Sequence, residues 1–190
     1  MGKTYDSVTP KLRRFIEKQR MFFVATAPLS PEQHINLSPK GLDCFRVLDE
    51  KRVAYLDLVG SGNETSAHIE ENGRITFMFC AFEGKPLILR LYGRGRTALP
   101  GSERWGELQS HFPSYPGVRQ IIVVDVHRAM TSCGFAVPRY DFVQERNELI
   151  QYAETKGPEG MQRYQRENNL SSIDGIITTL GKRDGDSATA

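Results

Sequence analysis

Six apolar stretches rich in β-branched and aromatic residues recur along the chain, and most of them are separated by only short polar connections. They are residues 21–27 (MFFVATA), 34–38 (HINLS), 52–58 (RVAYLDL), 74–82 (RITFMFCAF), 87–96 (LILRLYGRGR) and 119–127 (RQIIVVDVH). Runs of this length bounded by turn residues read as strands. Parallel neighbours need long crossover connections, usually helical, so the short connections here favour antiparallel pairing. Two short helices interrupt the series, at TSAHIEEN and near SERWGELQSHF. A third precedes it in TPKLRRFIEKQ, where Thr9 is placed to cap, Pro10 suits the first helical position, and Leu12, Phe15 and Ile16 share a face that covers the sheet. The predicted class is mainly β: an antiparallel barrel with peripheral helices.

At 190 residues the chain fits one domain, expected over residues 1–180, with helical or irregular structure from Gln144 onward and a disordered tail over 181–190. Lys and Arg number 25 against 23 Asp and Glu, without a block of like charge, so no nucleic-acid partner is expected. No apolar run approaches the ~20 residues of a membrane helix, and no signal-peptide core is evident, so a cytoplasmic protein off the membrane is expected. Cys44, Cys80 and Cys133 are odd in number and far apart, and His34, His68, His111 and His127 lack ligand spacing. Neither a disulfide framework nor a metal site is expected.

Two polar knots stand out. In GSGNETSAHIEENG, Gly60 and Gly62 permit a tight turn, Asn63 is a suitable N-cap, Thr65, Ser66 and His68 lie near the first turn of a helix, and Gly73 ends it. Free N–H groups beside hydroxyls attract anions, so a phosphate would suit this place. A well-capped connecting helix explains the same residues, and Glu64 opposes an anion unless it points away or is paired. In INLSPKG, a strand ends at Ser38, Pro39 fixes a turn, Lys40 adds a mobile charge and Gly41 allows close approach. An ordinary Pro-Gly turn with a solvated lysine remains the alternative. Alternation in LILRLY puts Ile88, Arg90 and Tyr92 on one strand face and Leu87, Leu89 and Leu91 on the other. An arginine in such a run needs an anion, a carbonyl or a carboxylate, or else reaches solvent.

HINLSPKG, GSGNETSAHI, RLYGRGR and SCGFAVPRYDF, in this order and spacing, resemble the pyridoxamine 5′-phosphate oxidase-related proteins of the FMN-binding split-barrel superfamily. The likeness covers roughly residues 12–150. It implies a six-stranded Greek-key split barrel, a homodimer and FMN at the dimer interface. Carried over residue by residue, it implies that Ser38, Lys40, Asn63, Thr65 and Ser66 surround the FMN phosphate and ribityl chain, that Arg90 lies by the flavin, and that Ser132 and Cys133 line the isoalloxazine pocket. Cys133 is expected as a small buried thiol, since nothing near it in sequence would activate it.

The resemblance further implies a flavin-dependent oxidoreductase acting on a small molecule, with the cofactor supplying the chemistry. A non-catalytic flavin- or haem-binding module is the alternative. The family's best-known oxidases carry a basic pair where this chain has Glu64 and Thr65, and an Arg-x-His element where it has Arg146 and Glu148. Oxidation of a phosphorylated vitamin B6 is therefore not expected of it.

Overall fold

The computed structural model describes residues 2–188. Eight strands form one antiparallel sheet: β1 (Thr4–Tyr5), β2 (Phe22–Thr26), β3 (Asn36–Lys40), β4 (Phe45–Val47), β5 (Arg52–Leu58), β6 (Arg74–Cys80), β7 (Ile88–Ala98) and β8 (Val118–Ser132). Their order is β3-β2-β6-β7-β8-β5-β4, with β1 paired to β8. The sheet curls into a half-barrel whose two edges, β3 and β4, are joined by residues 41–44. The six predicted strands are present, and the two missed ones, β1 and β4, are two and three residues long, too short for a periodic signal.

Inward-facing aromatic side chains fill the curl. Phe22 lies 4.9 Å from Phe45, 5.7 Å from Tyr55 and 5.7 Å from Phe79, ring centre to ring centre. The first two pairs are edge-to-face and the third is stacked, and aromatic pairs of either kind add roughly 0.5–1.5 kcal/mol each beyond the area they bury. Leu89 and Leu91 of β7 are fully buried in the same core, while Ile88, Arg90 and Tyr92 face outward, as the alternation required.

Helix α1 (Pro10–Ile16) starts as predicted, with Thr9 Oγ1 accepting from Leu12 N, and it buries Leu12 and Ile16. Helix α2 (Glu64–Asn72) ends at Gly73 in the left-handed conformation (φ 71°). Helix α3 (Glu103–Leu108) is capped by Ser102. Helix α4 (Glu148–Asn168) is interrupted at Gly157 ahead of Pro158, and helix α5 (Thr179–Ala188) closes the chain.

Three local expectations change. Strand β3 does not stop at Ser38 but runs through Pro39 to Lys40, which an edge strand tolerates because proline's missing N–H costs no ladder bond there. Asn63 precedes α2 but makes no cap bond, because its side chain is drawn into the interior. Residues 181–188, expected as disordered tail, belong to α5, which Lys182 ties to Glu70 of α2 at 2.7 Å; residues 189 and 190 lie outside the described residues.

Candidate functional site

Strand β5 carries the charged centre of the molecule. Asp57, buried near the end of this strand, accepts from Lys40 Nζ on one oxygen (2.9 Å) and from Arg119 Nε and Gln120 Nε2 on the other (2.8 Å each). Burial alone would suppress its ionisation, but Arg119 and Lys40 outweigh that and hold the carboxyl well below the usual range. Two cations around one carboxylate leave one positive charge unbalanced. Arg119 is itself buried, so that charge can be approached only through Lys40, whose side chain is 23% exposed.

The network continues under the loop before α2. Gln120 Nε2 also donates to Asn63 Oδ1 (2.8 Å), and Arg119 Nη1 donates to Gly62 O (2.7 Å) and Asn169 Oδ1 (2.9 Å). A second cluster joins β2, β3 and α2. Asn36 Nδ2 donates to Thr26 Oγ1 and Thr65 Oγ1 (3.0 Å each), Ser38 Oγ donates to Asn36 Oδ1 (2.8 Å), and Thr26 Oγ1 lies 3.0 Å from His68 Nδ1. Desolvation lowers the pKa of His68.

The chain's own residues 169–178, linking α4 to α5, form a strap across the N-terminal turn of α2. Asn63 Nδ2 donates to Asn169 O (3.4 Å), Glu64 accepts from Ile173 N (3.0 Å), and Ser66 Oγ accepts from Thr179 N (3.3 Å) where α5 begins. His34, a surface histidine as expected, holds Asp174 through both its backbone N and Nδ1 (2.8 Å each). Asn63, Thr65 and Ser66 are all buried.

The sequence-predicted residues thus do not gather at a single place. Ser38 and Thr65 meet through Asn36, and Asn63 joins Lys40 through Gln120 and Asp57. Ser66 turns toward Thr97 and α5. Arg90 and Ser132 meet directly, with Arg90 Nη1 3.2 Å from Ser132 Oγ, on the outer face of the sheet. There the register sets Pro39, Phe23, Met78, Arg90 and Met130 side by side across five strands. Cys133, expected buried, is exposed: β8 ends at Ser132 and the next residue leaves the sheet. Asp57, Arg119, Gln120 and Asn169 were missed. A carboxylate within RVAYLDL carried the same signal as Arg90, that of a charge in a buried run requiring a partner.

Beside Lys40 opens a cleft of about 1290 Å³. Lys40, Gly41, Cys44, Leu56 and Leu58 lie along it, together with Phe82 of the β6–β7 connection and Tyr140 and Phe142 of the segment that follows β8. Phe82 and Tyr140 pair at 5.5 Å, and Arg20 covers Phe142 at 4.7 Å. Burial pushes the Cys44 thiol up to about 12, so it is no nucleophile at neutral pH. Among the described residues no group of three or more His, Cys, Asp or Glu is placed to hold a metal ion. No described helix is long and apolar enough to cross a membrane.

Residues 8–133 match the family described as pyridoxamine 5′-phosphate oxidase. The chain belongs to that family. A curated relative, the pyridoxamine 5′-phosphate oxidase family protein ustO of Aspergillus flavus, is 38% identical over 189 residues, spanning 90% of this chain and 76% of that protein. Among solved structures, the H111A variant of HupZ from Group A Streptococcus superposes with a TM-score of 0.50 at 22% identity, covering 66% of this chain and 99% of that one. A Clostridium acetobutylicum protein related to general stress protein 26, of the pyridoxinephosphate oxidase family, gives 0.50 at 11% identity, covering 73% and 94%. At such identities the two structures establish the split-barrel fold, which family members of this kind share.

The residues suit a flavin unevenly. The cleft has room and aromatic walls for a planar ring system, and Lys40 beside it has donors to spare for an anion. Asn63 and Ser66 have their polar groups committed within the chain, and Thr65 Oγ1 accepts from Asn36.

Proposed function

We propose that this protein is a homodimeric FMN-binding flavoprotein acting as an oxidoreductase on a small molecule. The observation that carries the reading is Lys40, a partly exposed ammonium bearing the surplus charge of a buried ion cluster at the side of a large aromatic-walled cleft. Membership of the pyridoxamine 5′-phosphate oxidase family supports it.

FMN, when bound, supplies the hydride-accepting chemistry. The chain supplies binding and orientation. Lys40 offers two N–H donors beyond the one given to Asp57, and Asp57 keeps the ammonium from swinging into solvent. Phe82, Tyr140 and Phe142 supply flat apolar surface that excludes water from the cleft. Arg90, hydrogen-bonded to Ser132 within an otherwise apolar cross-strand row of the outer face, provides positive charge where two copies would meet.

A phosphorylated vitamin B6 is disfavoured as substrate. Arg146 and Glu148, where the family's best-known oxidases hold a phosphate-binding pair, form an exposed ion pair with each other (3.5 Å). Glu64 carries negative charge where those oxidases have a basic residue.

The visible absorption spectrum of the purified protein, with the chromophore released by heat and weighed, tests the cofactor. A two-banded yellow spectrum and released FMN are expected; a colourless protein that fails to take up added FMN would sink the reading. Anaerobic mixing with NADH or NADPH then separates an enzyme, whose flavin bleaches and recovers with oxygen, from a store that does not turn over.

A further inference from the structure

We infer that the N-terminal turn of α2 is given over to the chain's own strap, and that discrimination for a flavin's phosphate falls to Lys40, with Asp57 as its positioning residue. This rests on the flavin reading above and specifies which groups recognise the anion.

The Asn63 amide and the Ser66 hydroxyl, which would serve a phosphate at α2, are already used. Thr65 Oγ1 accepts from Asn36, Asn63 spends its amide on Asn169 O and Gln120, and Ser66 binds the start of α5. Glu64 adds a carboxylate at the same turn, turned toward Ile173 N rather than toward a cation. The like charge of Glu64 and the committed groups of Asn63 and Ser66 both oppose a phosphate there. Asn169, fully buried, anchors the strap by accepting from Arg119 and donating to Gly60 O (3.2 Å), so undocking it would strand a buried guanidinium bond.

Lys40 is in the opposite condition. It lies at the end of an edge strand, lines the cleft, and uses one of three donors. Asp57, wholly buried and fixed by Arg119 and Gln120, holds that ammonium in one place.

The test is the affinity of full-length apoprotein for FMN and for riboflavin, which lacks the phosphate, read by quenching of flavin fluorescence. The unaltered protein should prefer FMN by about tenfold or more, the weight of one hydrogen bond to a charged group. Lys40→Met should bring the FMN:riboflavin ratio near one while riboflavin affinity holds, Lys40→Arg should restore much of the preference, and Ser66→Ala should leave the ratio unchanged. A merely structural role for Lys40 would weaken both flavins together. The inference is overturned if Lys40→Met keeps the preference or if Ser66→Ala abolishes it. A second measurement needs no variant: amide exchange across residues 169–179 should be as slow with FMN as without, and faster exchange on adding FMN would show the strap yielding its place. Failure of the unaltered protein to bind either flavin would instead overturn the flavin reading and this inference with it.

Discussion

Asp57 Oδ1 and Lys40 Nζ lie 2.9 Å apart at the boundary between barrel interior and cleft, the carboxylate wholly buried and the ammonium partly open to solvent. Asp57 therefore has a structural duty to Arg119 and a positioning duty to Lys40. Replacing it by Asn leaves Arg119 buried without its counter-ion. Breaking a buried pair from one side costs on the order of 3–5 kcal/mol. The urea midpoint of Asp57→Asn should fall accordingly, and an unchanged midpoint would contradict the described pairing.

Acid should reveal the same pair. The folded carboxyl titrates below the unfolded one, so its contribution is fully present above the unfolded value of about 3.9 and is lost as pH falls toward the folded value. Stability measured from about pH 5 down to pH 2 should drop steeply. Asp57→Asn, weaker throughout, should show a flatter acid limb.

The three thiols should differ sharply in reactivity. Cys133 is exposed, whereas Cys44 and Cys80 are buried. Brief treatment of the native protein with iodoacetamide, followed by peptide mass mapping, should label Cys133 first and the other two only on unfolding. Labelling of Cys44 in the native state would show that the barrel opens beside the cleft.

Gly181→Ala should loosen the strap. A Cβ at this position would meet Leu170 O at 2.3 Å, a backbone contact that cannot be relieved by rotating a side chain. Protease cleavage within residues 169–180 should accelerate while the β-strands stay protected. High pH should act in the same direction more gently. Asp174 raises the pKa of His34 through their hydrogen bond, so the charge contribution of this pair is fully present below about pH 6.5 and is lost as pH rises through the folded value, while the bond from His34 N remains.

Charge on the outer face of the sheet should block self-association. Met130 sits in the row that includes Phe23, Met78 and Arg90. Under the proposed dimer, Met130→Glu should halve the mass measured by light scattering without altering the far-ultraviolet circular dichroism. A monomeric unaltered protein would remove the dimer from the proposal.

The fold was largely legible because each long strand carries its own signature. Alternation in LILRLY assigned inside and outside correctly, and Gly73 marked the end of α2. The polar interior was legible only in part. Asp57 announces itself as a charge in an apolar run, but its partners Lys40 and Arg119 are 17 and 62 residues away, and no local pattern joins them. Asn63 illustrates the same limit: sequence names a good cap, while a distant glutamine and a distant asparagine compete for its amide and win. The strap was illegible for a related reason. SSIDGIITTL has neither helical nor strand period, and its order comes from Glu64, His34 and Ser66, which belong to another part of the chain.

Asn169 carries a consequence for how the protein is made. The guanidinium of Arg119 stays short of one acceptor until a residue 50 positions later arrives, after every strand of the sheet has been made. A growing chain can pair every strand of the barrel before Asn169 is made, yet its charged centre remains incomplete until that residue docks. Products that stop between Ser132 and Asn169 should therefore look folded by their sheet content and still be cleared by proteolysis, because Arg119 lacks its acceptor.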